Sequence, residues 1–153
     1  MGAVKIVNAT RLDPRFPLSR RELAAVCDTI LDALELSGRT LTLTLTDDRD
    51  IAAVNAEFLG CTGPTNVLSF PAADGGDEPA VRIDGDDLGE LVLSVDTLVR
   101  ETELYGQEPV EHLARLLAHG ILHLAGFDHD EVMFDLTDAA VDRVVLAAAD
   151  RPD

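Results

Sequence analysis

The sequence predicts an α+β fold: a single domain spanning residues 1–153, in which a mixed sheet of about four strands is covered by helices. Three observations support this prediction. Short segments with strand patterning lie between residues 3 and 95, two long segments with helical periodicity follow, and 46% of the residues are hydrophobic. A chain of this length can bury one sizeable core, and it shows neither an internal repeat nor a domain linker.

The first half of the chain begins with a predicted strand from Ala3 to Asn8, which is rich in β-branched and apolar residues. Ser19 and Glu22 form a capping-box pattern that predicts a helix start. The apolar stripe of that helix consists of Leu23, Val26, Cys27, Ile30, Leu31 and Leu34. Gly38 ends the helical pattern, and alternating Leu and Thr residues from Leu41 to Thr46 predict a half-buried strand.

In the middle of the chain, Asp47 or Asp48 can cap a second helix that carries Ile51, Val54 and Phe58 on one side. The segment from Pro64 to Pro71 contains a strand bounded by prolines. Because proline cannot donate a backbone hydrogen bond, such a strand is expected at the edge of a sheet. Residues 72–87 are rich in Gly and Asp and predict a mobile loop, and a strand follows from Leu88 to Val95.

The last part of the chain is predicted to be helical. A helix is expected from Asp96 to Tyr105, and Pro109 suits the first turn of a longer one. A final helix from Glu131 to Ala149 should turn five apolar side chains inward. These are Val132, Leu136, Val141, Val144 and Val145.

The chemistry of the sequence is concentrated in the stretch from Ala118 to His129, which contains three of the four histidines. His119 and His123 are four residues apart and therefore share one face of a helix. Gly126 can adopt positive φ, which stops the helix and allows His129 to approach the same point. Three histidines form the ligand set of an open zinc site, so we expect one Zn²⁺ per chain. Imidazole also accepts nickel, copper, cobalt and iron.

This His-x3-His-x5-His pattern resembles the metal cradle of the metzincin proteases, with one difference. The general-base glutamate of that motif falls at Gly120, which has no side chain. His112 lies two turns before His119 and is the alternative further ligand, although four protein ligands would close the site. Asp128 and Asp130 could orient an imidazole, or they could be ordinary turn residues.

The charge, hydropathy and cysteine content of the chain argue against several classes of function. Twelve basic and 29 acidic residues give a net charge of −17, which opposes free-standing, high-affinity binding to RNA. No apolar run approaches the length of a membrane helix, and the N-terminus lacks a signal-peptide layout, so we expect a cytoplasmic protein without membrane contact. Two cysteines, Cys27 and Cys61, do not make a disulfide framework.

Two separated segments resemble the YbeY family of bacterial ribosome-associated metalloproteins. Residues 119–129 (HGILHLAGFDH) resemble its histidine signature, and residues 64–71 (PTNVLSFP) resemble a second family segment. Asn55, Phe58 and the strand start Leu88-Gly89-Glu90-Leu91 also match. The order and spacing of these segments match over nearly the whole chain.

The resemblance implies a zinc-dependent, single-strand-specific endoribonuclease that acts in 16S rRNA 3′-end maturation and ribosome quality control. It implies that His119, His123 and His129 bind the metal and act in catalysis through it. Its implied partners are ribosomal RNA, the small ribosomal subunit and ribosome-associated proteins. The ribosome would then supply affinity that the acidic chain lacks.

The sequence also offers candidates for two other roles, proton transfer and substrate binding. Glu90, Asp128 and Asp130 are candidates for the proton acceptor that Gly120 cannot provide. Thr65, Asn66 and Ser69 are candidates for substrate binding, although Asn66 could instead pin a turn.

The sequence departs from the family pattern at Leu59, where the family carries an arginine able to grip a phosphate. Arg82 and Arg100 are possible substitutes. Two other functions therefore stay open: a ribosome assembly factor with a mainly structural metal, and a metallohydrolase of another substrate, such as a peptide.

Overall fold

Strands and helices occupy the chain up to residue 94, and the elements described after it are all helices. A computed structural model describes residues 4–9, 16, 18–60, 66–71, 87–127 and 131–149. The elements are β1 Val4–Asn8, α1 Arg20–Ala33, β2 Thr40–Thr46, α2 Asp48–Leu59, β3 Val67–Pro71, β4 Asp87–Ser94, α3 Val95–Tyr105, α4 Pro109–Leu124 and α5 Glu131–Ala149. The predicted mobile loop falls almost entirely outside the described residues.

The four strands form one mixed sheet in the order β1-β2-β4-β3, which confirms the predicted fold class. Strands β1, β2 and β4 are parallel, and β3 pairs antiparallel with β4 through the pairs Val67–Leu93, Ser69–Leu91 and Pro71–Gly89. The proline-bounded strand β3 therefore lies at an edge of the sheet, as predicted. One of its sides is left without a strand neighbour in the described structure.

Helix starts follow the predicted caps. Ser19 and Glu22 exchange both hydrogen bonds of the capping box at the start of α1, at 3.2 and 2.9 Å. Asp47, rather than Asp48, caps α2 by accepting from the backbone N–H of Asp50 at 2.9 Å. Ser94 caps α3, so the strand before it ends one residue earlier than predicted.

The main core lies on one face of the sheet, beneath α1, α4 and α5. It contains Leu43 and Leu45 of β2, Leu91 and Leu93 of β4, and the fully buried Cys27 of α1. Burial raises the pKa of the Cys27 thiol to about 12, with the negative charge of Asp28 adding to the effect. Cys27 is thus a packing residue, as its place in the apolar stripe predicted.

The opposite face of the sheet carries a smaller core beneath α2, formed by Ile51, Leu68 and Val92. No helix in the described residues has both the length and the apolar character that a membrane crossing requires.

The inward face of α5 was partly mispredicted. Val132 and Val145 are 56% and 42% exposed, whereas Met133, Thr137 and Ala140 are buried. Thr137 is accommodated because its hydroxyl donates to the Met133 carbonyl oxygen at 2.8 Å. Apolar residues occur on several sides of this helix, so periodicity alone did not identify which side packs.

Candidate functional site

Helix α4 carries the two histidines of the described site. It begins at Pro109, whose missing N–H costs nothing in the first turn, and Glu108 caps it through the N–H of Glu111 at 2.8 Å. Its apolar side packs into the main core and is fully buried at Leu113, Leu117 and Ile121. His119 and His123 lie beside that apolar side and are half-buried.

The side chains of His119 and His123 converge. Their Nε2 atoms are 3.2 Å apart, and the rings are nearly perpendicular, with centroids 4.7 Å apart. A tetrahedral zinc ion bonded to imidazole nitrogens at about 2.0–2.1 Å sets two such atoms about 3.3–3.4 Å apart. The pair therefore has the separation of two ligands of one metal ion.

The end of α4 follows the prediction made for Gly126. This residue has φ of 99°, in the left-handed region that favours glycine. The N–H of Gly126 donates to the His123 carbonyl and that of Phe127 donates to the Leu122 carbonyl, each at 3.0 Å, which is a Schellman motif. The helix thus ends immediately after its second histidine.

His129, the third expected ligand, lies outside the described residues, as does Asp128. Within the described ranges, no group of three or more His, Cys, Asp or Glu side chains is arranged to hold a metal ion.

Gly120 lies where α4 packs closely against the sheet. A Cβ atom there would be 2.8 Å from Cδ2 of Leu91 and 3.5 Å from the Ser69 hydroxyl oxygen. The Ser69 hydroxyl donates to the carbonyl oxygen of Gly120 at 3.3 Å. This contact ties strand β3 to the turn of α4 that lies between the two histidines.

An open cleft of about 410 Å³ lies along β3 and α4 and is lined by residues of both. It is lined by Asn66, Val67, Leu68, Ser69, Pro71, His119 and His123. The structure thus brings two expected substrate-binding residues, Asn66 and Ser69, to the same cleft as the two histidines. Thr65 falls outside the described residues.

Glu90 is not brought to this cleft. Strand side chains alternate between faces, and Leu91 faces α4, so Glu90 faces the other side of the sheet. There its carboxylate accepts a hydrogen bond from the Thr44 hydroxyl at 2.7 Å. The prediction that Glu90 handles a proton next to the histidines is therefore not supported by its position.

Arg100, one of the two arginines considered as substitutes for the family residue, is not among the described cleft residues. Arg100 binds the Asp48 carboxylate at 2.9 Å and the Thr97 hydroxyl at 3.1 Å. Arg82 lies outside the described residues. Among the described residues that line the cleft, none is lysine or arginine.

Glu101 of α3 was not found by sequence reasoning. Its carboxylate contacts His112 Nε2 at 2.9 Å and Asn66 Nδ2 at 3.4 Å. The only sequence signal was the position of His112, which lies seven residues before His119 on the same helix face. His112 thus pairs with a carboxylate.

Comparison with known proteins identifies the family. The model of the family described as endoribonuclease YbeY matches residues 12–143. The chain belongs to the YbeY family. This confirms the family resemblance of the histidine signature and of the proline-bounded strand.

Two curated YbeY relatives illustrate how much of the chain is shared. A protein of Oleidesulfovibrio alaskensis named endoribonuclease YbeY is 47% identical over 137 residues, which cover 80% of this chain and 81% of that protein. A protein of Nitratidesulfovibrio vulgaris with the same name is 47% identical over 153 residues and covers 92% of this chain and 93% of its own length.

A solved structure supports the fold. The solution structure of TM1509 from Thermotoga maritima matches with a TM-score of 0.65 and 20% identity, over 97% of this chain and 93% of that one. At this identity the match bears on the fold alone.

Proposed function

We propose that this protein is an endoribonuclease whose catalytic centre is a metal ion held by His119, His123 and His129. The observation that carries the proposal is the pair of Nε2 atoms 3.2 Å apart in the wall of an open cleft. The YbeY relatives, which are named endoribonucleases, support RNA as the substrate. Zinc is the metal that best suits a set of three histidines with an open fourth position.

Bound zinc would supply a Lewis acid and lower the pKa of a coordinated water to about 7, which yields a nucleophile at neutral pH. The chain's own part is to hold neutral imidazole nitrogens in place and to bind the RNA strand. Gly120 offers no carboxylate, so the proton acceptor must come from elsewhere, and Asp128 and Asp130 stay candidates. Ser69 and Asn66 would contact the RNA from the wall opposite the histidines.

The substrate we propose is single-stranded ribosomal RNA, at the 3′ end of 16S rRNA, within the small ribosomal subunit and its associated proteins. The net charge of −17 and the lack of lysine or arginine among the described cleft residues support a substrate held by a larger assembly. Such a substrate would place the protein in the cytoplasm.

The proposal is tested by cleavage of a single-stranded rRNA fragment by zinc-loaded protein. His119→Ala and His123→Ala should each lower the rate by more than about 100-fold, since even outer partners of metal ligands contribute 10–100-fold. Arg115→Gln is the matched control, because Arg115 lies on the same helix but forms exposed ion pairs with Glu111 and Asp138. It should cleave at the wild-type rate.

A chelator should abolish cleavage by the wild type, and zinc should restore it. A peptide substrate should stay intact, because the carboxylate that metzincin proteases use is absent at Gly120. Wild-type cleavage that persists in the folded His123→Ala variant would refute the proposed centre. If the zinc-loaded wild type cleaves neither free RNA nor the rRNA of the small subunit, the result would instead favour a role as a ribosome assembly factor.

A further inference from the structure

Three polar side chains meet at one end of the cleft, on three different elements. A carboxylate oxygen of Glu101, on α3, lies 2.9 Å from Nε2 of His112, on α4, and the two form a hydrogen bond. Both of its oxygens lie 3.4 Å from Nδ2 of Asn66, which directly precedes β3. The His112 and Glu101 side chains are only 14% and 22% exposed. A carboxylate with this little solvent around it is oriented by these two partners.

The position of this group relative to the two metal-site histidines follows from helix and strand geometry. His112 precedes His119 by two helical turns, which corresponds to about 10.5 Å along the same face of α4. Asn66 precedes Ser69 by three residues of extended chain, or about 10 Å. Asn66 and His112 both contact Glu101, and further along the two elements Ser69 contacts Gly120, so strand β3 and helix α4 run side by side in the same direction. The Asn66 end therefore lies about 10 Å along the cleft from the histidine pair.

Asn66 is held at three of its atoms. Its Oδ1 accepts from the Val67 N–H at 2.7 Å, and its backbone carbonyl accepts from the Ser94 N–H at 2.9 Å. Its Nδ2 donates to Glu101. An amide nitrogen carries two N–H donors, so one can bind Glu101 while the other serves a further acceptor.

Neutral donors are well suited to this cleft. RNA strands are positioned largely by hydrogen bonds to phosphate and sugar oxygens, and asparagine is one of the side chains that supply them. No lysine or arginine is present among the described cleft residues to do so. An oriented asparagine about 10 Å from the histidines would contact a nucleotide neighbouring the one that is cleaved.

We propose that Glu101 and His112 are positioning residues, which orient the Asn66 amide to bind a flanking nucleotide of a single-stranded RNA. The inference rests on the proposed function, since it assumes that RNA occupies the cleft. It assigns Glu101 and His112 no part in the reaction itself.

The test is NMR of the zinc-loaded protein with a short, single-stranded phosphorothioate RNA that resists hydrolysis. RNA should shift the side-chain amide signals of Asn66 in the wild type. Glu101→Ala and His112→Ala should weaken the Kd for this RNA about tenfold, the equivalent of one good hydrogen bond. Glu101→Gln keeps an acceptor for Asn66 and should recover part of the affinity, which a loss of folding would not allow.

Glu111→Gln is the matched control, because Glu111 is adjacent to His112 on α4 but its carboxylate is paired with the exposed Arg115. It should bind RNA as the wild type does. In kinetics with unmodified RNA, Glu101→Ala should raise KM with kcat nearly unchanged, because the histidine end of the cleft is intact.

The inference is overturned if RNA binds while the Asn66 signals stay in place, or if Glu101→Ala binds RNA with wild-type affinity. Failure of the proposed function looks different. In that case the Asn66 signals and the Kd values respond as expected, but unmodified RNA is not cleaved.

Discussion

Gly120 lies so close to Leu91 that a Cβ atom at position 120 would be 2.8 Å from Cδ2 of Leu91. Real Cβ atoms do not approach other heavy atoms this closely, and Leu91 is fully buried, so one of the two must shift. The metzincin glutamate is therefore absent from a position where a side chain would require Leu91 to move. Close packing of α4 on β4, rather than loss of a once-useful base, gives a physical reason for the glycine.

Gly120→Ala is predicted to destabilise the protein. In an uncrowded helix, replacing glycine by alanine would stabilise it by about 1 kcal/mol. Here overpacking against Leu91 costs about 1–3 kcal/mol and should reverse the sign of the change. Chemical denaturation measures the free energy of unfolding. Leu91→Val should relieve the crowding. The double variant should therefore lose less free energy of unfolding than the sum of the losses in the two single variants. A stabilising Gly120→Ala would contradict the packing account.

Glu90→Gln and Ser69→Ala test the roles of the two faces of the sheet, one variant for each face. Glu90 faces away from α4, and glutamine can still accept from Thr44, so Glu90→Gln should leave RNA cleavage within about twofold of wild type. Ser69→Ala removes the hydroxyl that joins β3 to Gly120 and should lower cleavage about tenfold. The measurement is kcat/KM on one RNA. A large loss in Glu90→Gln with wild-type folding would show that Glu90 acts in the reaction.

Asp48 links α2 to α3 and predicts a pH-dependent contribution to stability. Burial raises the pKa of its carboxyl group, but hydrogen bonds from Thr97, Ser94 and Arg100, with the charge of Arg100, outweigh burial and lower it below 3.8. Because the folded pKa is depressed, the stabilisation is complete above the unfolded pKa and disappears as the pH falls through the folded value.

Asp48→Asn should therefore lower the free energy of unfolding by about 1–3 kcal/mol at neutral pH. The difference from wild type should shrink as the pH falls below about 3.9, the ordinary pKa of an aspartate, and through the lower pKa of the folded carboxyl group. Asp50→Asn makes the same charge change in the first turn of α2, at an exposed side chain. It should show a smaller difference at neutral pH. If Asp48→Asn lost the same free energy of unfolding at every pH in this range, the stabilising role assigned to the ionised Asp48 carboxylate would be contradicted.

Local chemistry explains why much of the fold could be predicted from the sequence. Proline lacks an N–H, so Pro71 required an edge strand, and β3 is at the edge. Ser19 and Asp47 fix helix starts through hydrogen bonds to residues three positions away, and Pro109 suits a first turn because it lacks an N–H. The histidine pair was predicted for the same reason, because residues four apart on a helix are neighbours.

Contacts between distant segments could not be predicted in this way. The face occupied by Glu90 depends on how β4 packs, and its apolar neighbours occur on both sides, so no alternation identifies it. Glu101 meets Asn66 and His112 only because three elements converge. Val132 was placed inward on α5, yet it is 56% exposed, because the packed side depends on how α5 crosses α4 and α1.

The most direct test of the central claim is a titration of metal-free protein with zinc while cleavage of single-stranded rRNA is followed. The account predicts no cleavage without metal and a rate that rises to saturation at one zinc per chain. His123→Ala should neither bind zinc at this stoichiometry nor gain activity. Full cleavage by the metal-free protein would contradict a metal-dependent ribonuclease centre at His119 and His123. So would a protein shown to hold one zinc per chain that cleaves neither free rRNA nor the rRNA of the small subunit.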